Sequence, residues 1–84
     1  MRSDSRVVYV LVSAMEPGRH YVGVTSDVTR RFEVHNYGGS RHTAEYRPWR
    51  LIVSLEFATE SSAVAFERDL KTGSGRALAK RHFV

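Results

Sequence analysis

The sequence predicts an α+β fold: a three-stranded antiparallel β-sheet flanked by helices, in the order β-β-α-β-α-α. Three observations predict it. Two β-branched runs, VVYVLVS (7–13) and RHYVGV (19–24), stand on either side of a short segment rich in turn formers. A third run, LIVSLEF (51–57), follows an irregular stretch. Behind the second and third runs, apolar residues recur at helical spacing after good capping residues.

The elements follow in order. Residues 1–6 are polar and are expected to form a flexible N-terminus, leaving 7–84 as a single domain. AMEPG (14–18) turns the chain with Pro17 and Gly18 and makes the first two runs a hairpin. Placing Tyr9 opposite Tyr21 gives a loop from Ser13 to Pro17 with Gly18 closing it. Paired positions share a face, so both phenols would point the same way. Gly23 lies within the second strand, where a glycine often marks close approach of a backbone or a ligand. Ser26 or Asp27 caps a helix from Val28 to about Tyr37, and Gly38-Gly39 stops it. Residues 40–49 read as a loop or one short turn, with Trp49 as a core residue. Thr59 caps the next helix, SSAVAFERDLK. Thr72-Gly73-Ser74-Gly75 breaks it, and RALAKRHF forms a short basic final helix.

Composition excludes several classes. No stretch is long and apolar enough to cross a membrane. MRSDSRVVYVLVS does not read as a signal peptide, because its apolar run is short and Asp4 precedes it. With no cysteine, disulfides and cysteine–zinc sites are absent. The histidines at 20, 35, 42 and 82 lack zinc-ligand spacing. The expected location is the cytoplasm.

The net charge is +4, and 11 of the 13 basic residues are arginine, whose planar fork suits phosphate. Arg68, Lys71, Arg76, Lys80 and Arg81 cluster near the C-terminus against Asp69 alone. Such a patch points to a polyanion, most often nucleic acid, or else is a plain solvated basic face. Arg41, Arg47, Arg50, Arg76, Lys80 and Arg81 are the candidate phosphate contacts. Tyr37 and Tyr46 could stack on unpaired bases.

Polar side chains intrude on both long helices. With Val28 at zero and about 100° per residue, Phe32 falls near +40°, His35 near −20° and Arg31 near −60°. Arg31 and His35 therefore share the apolar arc, one turn apart, while Arg30 and Glu33 point away. On the second helix, with Ala63 at zero, Leu70 falls near −20° and Glu67 near +40°. A carboxylate there costs several kcal/mol to desolvate, so it requires a cation, either an arginine or a metal ion. Singly, each intrusion has a structural explanation: a snorkelling arginine, a satisfied histidine, a salt bridge, an aromatic pair. Together, two phenols, an arginine, a histidine and a glutamate are expected on one side of one small domain.

In this ordered set the sequence resembles the GIY-YIG nuclease superfamily, in its small stand-alone bacterial branch. The first tripeptide stands as Val7-Val8-Tyr9 and the second as Tyr21-Val22-Gly23. The family arginine matches Arg31, with His35 one turn later, and the family glutamate matches Glu67 in AFERDLKTGSGR. The resemblance covers about residues 7–83. Two departures matter: Val7 replaces the first glycine, and no asparagine follows Glu67, a position many larger relatives fill.

The resemblance implies divalent-metal-dependent hydrolysis of phosphodiester bonds, with Mg²⁺ (or Mn²⁺) as cofactor held by Glu67. Relatives act in DNA repair, homing and restriction. Arg31 would donate to the phosphate, Tyr21 would orient the water or phosphate, and Tyr9 or His35 would take the water's proton. DNA is favoured over RNA as substrate. The competing class is a binding module that holds nucleic acid without cutting it. A chain this short leaves room for a homodimer or for a protein partner that supplies specificity.

Overall fold

The structure, a computed structural model, describes residues 4–39 and 41–83. Of the N-terminus expected to fray, residues 1–6, residues 1–3 lie outside the described residues, as do Ser40 and Val84, whereas Arg6 is the first residue of β1 and pairs with Phe57. The elements are β1 (Arg6–Ser13), β2 (His20–Thr25), α1 (Val28–Tyr37), α2 (Arg41–Ala44), β3 (Trp49–Phe57), α3 (Glu60–Leu70) and α4 (Gly73–His82). The sheet has the order β2-β1-β3, and both pairings are antiparallel. The α+β reading therefore holds, with the irregular 40–49 stretch containing one helical turn, α2.

The hairpin register differs from the expected one. Tyr9 pairs with Gly23, and Tyr21 pairs with Leu11. The shift comes from Ser13, which stays in the strand instead of opening the loop. Its hydroxyl accepts from the amides of Met15 (3.1 Å) and Glu16 (2.9 Å) and donates to the Tyr46 carbonyl at 2.6 Å. The Ala14 amide donates to the Pro48 carbonyl, so the turn is anchored to the chain before β3 as well as to itself. The shift is by two residues, so Tyr9 and Tyr21 keep a common face.

Alternation along β1 divides the core. Tyr9 and Leu11 face one side, with Trp49, Tyr21, Val28, Phe32 and Tyr46, and so meet α1. Val8 and Val10 face the other, with Ala63, Leu70, Val22, Val53 and Phe66, and so meet α3. Ala79 and Phe83 bring α4 onto that second face. Central β1 is thus covered on both sides, and its residues 8–12 are all buried.

Local chemistry sets the helix ends. Asp27 caps α1 by accepting from the Arg30 amide, and Gly38 ends it at φ 85°, a conformation that costs glycine little. Thr59 caps α3 through the Ser62 amide. The expected break at Thr72–Gly75 is instead the first turn of α4. Thr72 accepts from the Gly75 amide at 3.2 Å and donates to the Asp69 carbonyl at 2.6 Å. This cap and the packing of Ala79 and Phe83 outweigh the low helix propensity of two glycines. β3 also begins two residues early, because Trp49 pairs with Ser13 and Arg50 with Val12. Ile52 is the extra residue where that register slips, between Val10 and Leu11.

Candidate active site

The site is built on the α1 side of β1. Tyr9 is 1% exposed and projects from the central strand across Gly23. A β-carbon at position 23 would lie 2.5 Å from the Tyr9 hydroxyl oxygen. The close approach that the glycine marks is thus made by Tyr9 itself. Tyr21 lies farther along the same face, half-buried, with its ring 6.1 Å from that of Tyr9.

His35 closes over both tyrosines, 5.8 Å from the Tyr9 ring and 4.7 Å from the Tyr21 ring. It is fully buried and satisfied at both nitrogens: Nε2 lies 2.9 Å from the Tyr9 hydroxyl and Nδ1 lies 2.8 Å from Oγ1 of Thr43. Burial, and secondarily the Arg31 charge, hold its pKa below the usual histidine value, so the ring is neutral near pH 7. Arg31, half-buried one turn earlier on α1, also reaches Tyr9. Desolvation raises the Tyr9 pKa. The Arg31 guanidinium opposes that rise without cancelling it, and Tyr21 adds to it. Tyr9 is therefore a neutral phenol between a guanidinium, a second phenol and an imidazole.

Two polar anchors hold this arrangement, and the helical pattern alone did not single out either. Thr43 comes from α2 and is 1% exposed. Its carbonyl accepts from the Trp49 indole nitrogen at 2.8 Å, which fixes α2 against β3. Asn36, next to His35, accepts from the Trp49 amide at 2.6 Å and donates to its carbonyl at 3.1 Å. The available signal was indirect: a histidine on a buried face requires a partner at each ring nitrogen.

Glu67 stands elsewhere. α3 packs through Ala63, Phe66 and Leu70 on the Val8–Val10 face, opposite the tyrosines. The helix that carries Glu67 thus packs on the sheet face opposite the one that holds Tyr9. With α1 already covering one face, α3 covers the other. The Glu67 side chain is only 18% exposed, and the cation that binds its Oε2 is a lysine and not the expected arginine: Lys71, four residues on along the same helix. Among the described residues, no hydrogen bond or ion pair joins Glu67 to Tyr9, Tyr21, Arg31 or His35. A cleft beside β2 opens on the α3 side of the sheet, floored by Val10, Val22, Leu70 and Ala79, and its rim includes Tyr21, Lys71, Arg76 and Lys80.

The candidate phosphate contacts divide. Arg41, Arg50, Arg76, Lys80 and Arg81 are exposed and carry no ion pair among the described residues. Arg47 is exposed but already engaged: Nε donates to the Ala44 carbonyl at 2.8 Å and Nη1 to the Tyr37 carbonyl at 3.0 Å. It ties α1 to α2 with two of its five N–H donors. Tyr37 is 80% exposed, Tyr46 lies under the Arg19 guanidinium, and Trp49 is core as expected.

No helix among the described residues is long and apolar enough to cross a membrane. Among the same residues, no group of three His, Cys, Asp or Glu side chains could hold a metal ion.

Comparison with known proteins gives consistent results. Residues 6–81 match the model of the GIY-YIG catalytic domain. The chain is 42% identical over 65 residues to the structure-specific endonuclease subunit SLX1 homolog of Giardia intestinalis, covering 70% of this chain and 18% of that protein. It is 39% identical over 71 residues to structure-specific endonuclease subunit SLX1 of Scheffersomyces stipitis, covering 76% and 21%. The chain thus spans about a fifth of these relatives. The UPF0213 protein BH0048 of Halalkalibacterium halodurans is 33% identical over 69 residues, covering 81% of this chain and 73% of that protein. The solution NMR structure of the UPF0213 protein BH0048 from Bacillus halodurans superposes with a TM-score of 0.55 at 28% identity, covering 92% of this chain and 83% of that one. The site on the sheet, the fold and these matches agree: the chain belongs to the GIY-YIG family.

Proposed function

We propose that this protein is a divalent-metal-dependent endonuclease that hydrolyses phosphodiester bonds in nucleic acid, DNA in preference to RNA. The observation that carries the reading is the convergence of Tyr9, Tyr21, Arg31 and His35 on one sheet face, with Tyr21 also on the rim of a cleft lined by Arg76 and Lys80. The names of the SLX1 relatives, structure-specific endonuclease subunits, support a nucleic-acid substrate with unpaired or branched character.

The residues fit Mg²⁺ in one mode. A single carboxylate, Glu67, would hold it, with waters and substrate phosphate oxygens completing a shell that the protein does not build. When bound, the metal neutralises charge on the phosphate and the leaving oxygen. Lys71 must yield the carboxylate for this to occur.

The remaining chemistry belongs to the chain. Arg31, half-exposed, donates to a non-bridging phosphate oxygen and stabilises the charge that grows in the transition state. Tyr21, at the wall of the cleft, orients the phosphate or the attacking water. His35 and Tyr9 are both buried and share a hydrogen bond, so a proton that leaves the Tyr9 hydroxyl passes to Nε2 along that bond once the bound substrate brings water to Tyr9. Arg76 and Lys80 hold flanking phosphates without reading sequence.

The test is cleavage of supercoiled, single-stranded and branched DNA, and of RNA, with Mg²⁺ or Mn²⁺, for wild type and Glu67→Ala. Cutting that disappears in the variant and in EDTA supports the reading. Absence of cutting, or equal cutting by both proteins, refutes it for this chain. One observation favours a second reading, a binding module: Glu67 is ion-paired to Lys71 on its own helix. Salt-dependent binding without cleavage would select it.

A further inference from the structure

We propose that Thr43 is a positioning residue that fixes His35 in the tautomer protonated at Nδ1, so that the Nε2 lone pair receives the Tyr9 proton. The inference rests on the nuclease reading for its catalytic consequence, but not for its structural content.

The two contacts of His35 allow two directions. In one, Tyr9 donates to Nε2 and Nδ1–H donates to Thr43. In the other, Thr43 donates to Nδ1 and Nε2–H donates to Tyr9. The surroundings of Tyr9 favour the first direction, and Thr43 holds it by accepting the Nδ1 proton. Its phenol is neutral and 1% exposed, so its proton requires an acceptor. Arg31 beside it can only donate. Among the described residues, the acceptor within hydrogen-bond geometry of the Tyr9 hydroxyl is the imidazole Nε2, 2.9 Å away, so Tyr9 donates to it. Nδ1 must then carry the ring proton, and Oγ1 of Thr43 accepts it at 2.8 Å. The groups facing His35 are Tyr9 from β1, Tyr21 from β2, Arg31 from α1 and Thr43 from α2. Among the described residues none of these is a carboxylate, so no anion among them competes to hold the ring proton.

The position of Thr43 suits this role. Its backbone carbonyl is held by the Trp49 indole, so the hydroxyl is fixed by an anchor separate from the imidazole. As the attacking water loses a proton to the Tyr9 oxygen, the Tyr9 O–H bond breaks and an Nε2–H bond forms. Hydroxide then adds to phosphorus, Tyr9 ends neutral and His35 ends as imidazolium. The Nδ1–H···Oγ1 bond to Thr43 stabilises that buried cation.

The experiment uses the full chain labelled with ¹⁵N, long-range ¹H–¹⁵N spectra of the imidazoles, and cleavage kinetics against pH. Wild type is expected to show His35 protonated at Nδ1 and bare at Nε2. Thr43→Val keeps the shape and loses the acceptor. It should shift the ring toward the other tautomer and lower kcat roughly ten- to a hundredfold, as for loss of other histidine-orienting partners, with KM unchanged. The acid limb of its kcat profile should move to lower pH, because the imidazolium loses a partner. Thr43→Ser should restore tautomer and rate. A wild-type ring protonated at Nε2 overturns the proposal, even if Thr43→Val fails to fold. So does a folded Thr43→Val with unchanged tautomer and kcat, or a Thr43→Ser as impaired as the valine variant. If wild type cuts no substrate, the nuclease reading fails, while the spectra still judge the tautomer.

Discussion

Gly23→Ala tests the packing beneath the site. Gly23 has no positive φ, so the space occupied by Tyr9 alone forbids a side chain there. A methyl at that position would meet the Tyr9 hydroxyl oxygen at 2.5 Å, Cζ at 2.6 Å and Cε1 at 2.9 Å. Tyr9 cannot retreat cheaply, since it is buried and bonded to His35. Overpacking of this kind costs about 1–3 kcal/mol. Three contacts below 3.0 Å place this case in the upper half. Loss of the flexible glycine from the unfolded chain returns roughly 0.5–1 kcal/mol. The net loss is about 1–2.5 kcal/mol, which for a domain of this size lowers Tm by roughly 5–15 °C. Calorimetry and urea titration measure it. The same substitution in a Tyr9→Leu background should cost much less, because the ring it strikes is gone. A Gly23→Ala protein as stable as wild type, or an equal penalty in both backgrounds, would refute the reasoning.

Other outcomes follow from the same geometry. The folded pKa of His35 is depressed, so the unfolded chain binds a proton that the fold refuses. The stability it preserves above the unfolded pKa of about 6.5 is lost as pH falls through and below that value. The urea midpoint should drop between pH 7.5 and 5, and His35→Gln should flatten the dependence; an unchanged slope in the variant would exclude His35 as its source. Asn36→Ala leaves the Trp49 amide and carbonyl without their partners and should cost about 1–3 kcal/mol in denaturant titrations. A loss within experimental error would mean that α1 does not hold β3 in this way. Arg76→Ala and Lys80→Ala should each reduce the salt slope of nucleic-acid binding by about one. Arg47→Ala should leave that slope alone and lower Tm, and a slope change equal to that of Arg76→Ala would place Arg47 in the interface.

The sheet, its helices and the polar face of α1 were legible because they follow from periodicity and caps. Arg31 and His35 emerged from a helical projection, since Val28 and Phe32 define the buried arc. What was not legible depended on contacts distant in sequence. The register turned on Ser13, whose hydroxyl answers to Tyr46 as much as to its own turn. Thr43 sits in a segment with no usable pattern, and only the folded chain brings it to His35. The glutamate was correctly read as requiring a cation. A single helix cannot say which sheet face it will cover, so the side of Glu67 stayed hidden. The Thr72 cap was passed over because two glycines read as a break until Ala79 and Phe83 packed.

Tyr9 belongs to the middle strand of the sheet, paired on both edges and covered on both faces. Such a strand exchanges its amide hydrogens only when the whole domain opens, whereas loops and edges open locally. The Tyr9 phenol therefore cannot loosen ahead of the fold. Heating or denaturant should leave the site intact until the cooperative transition and then remove it all at once. Any breathing that admits a substrate must arise around the cleft beside edge strand β2, not beneath Tyr9.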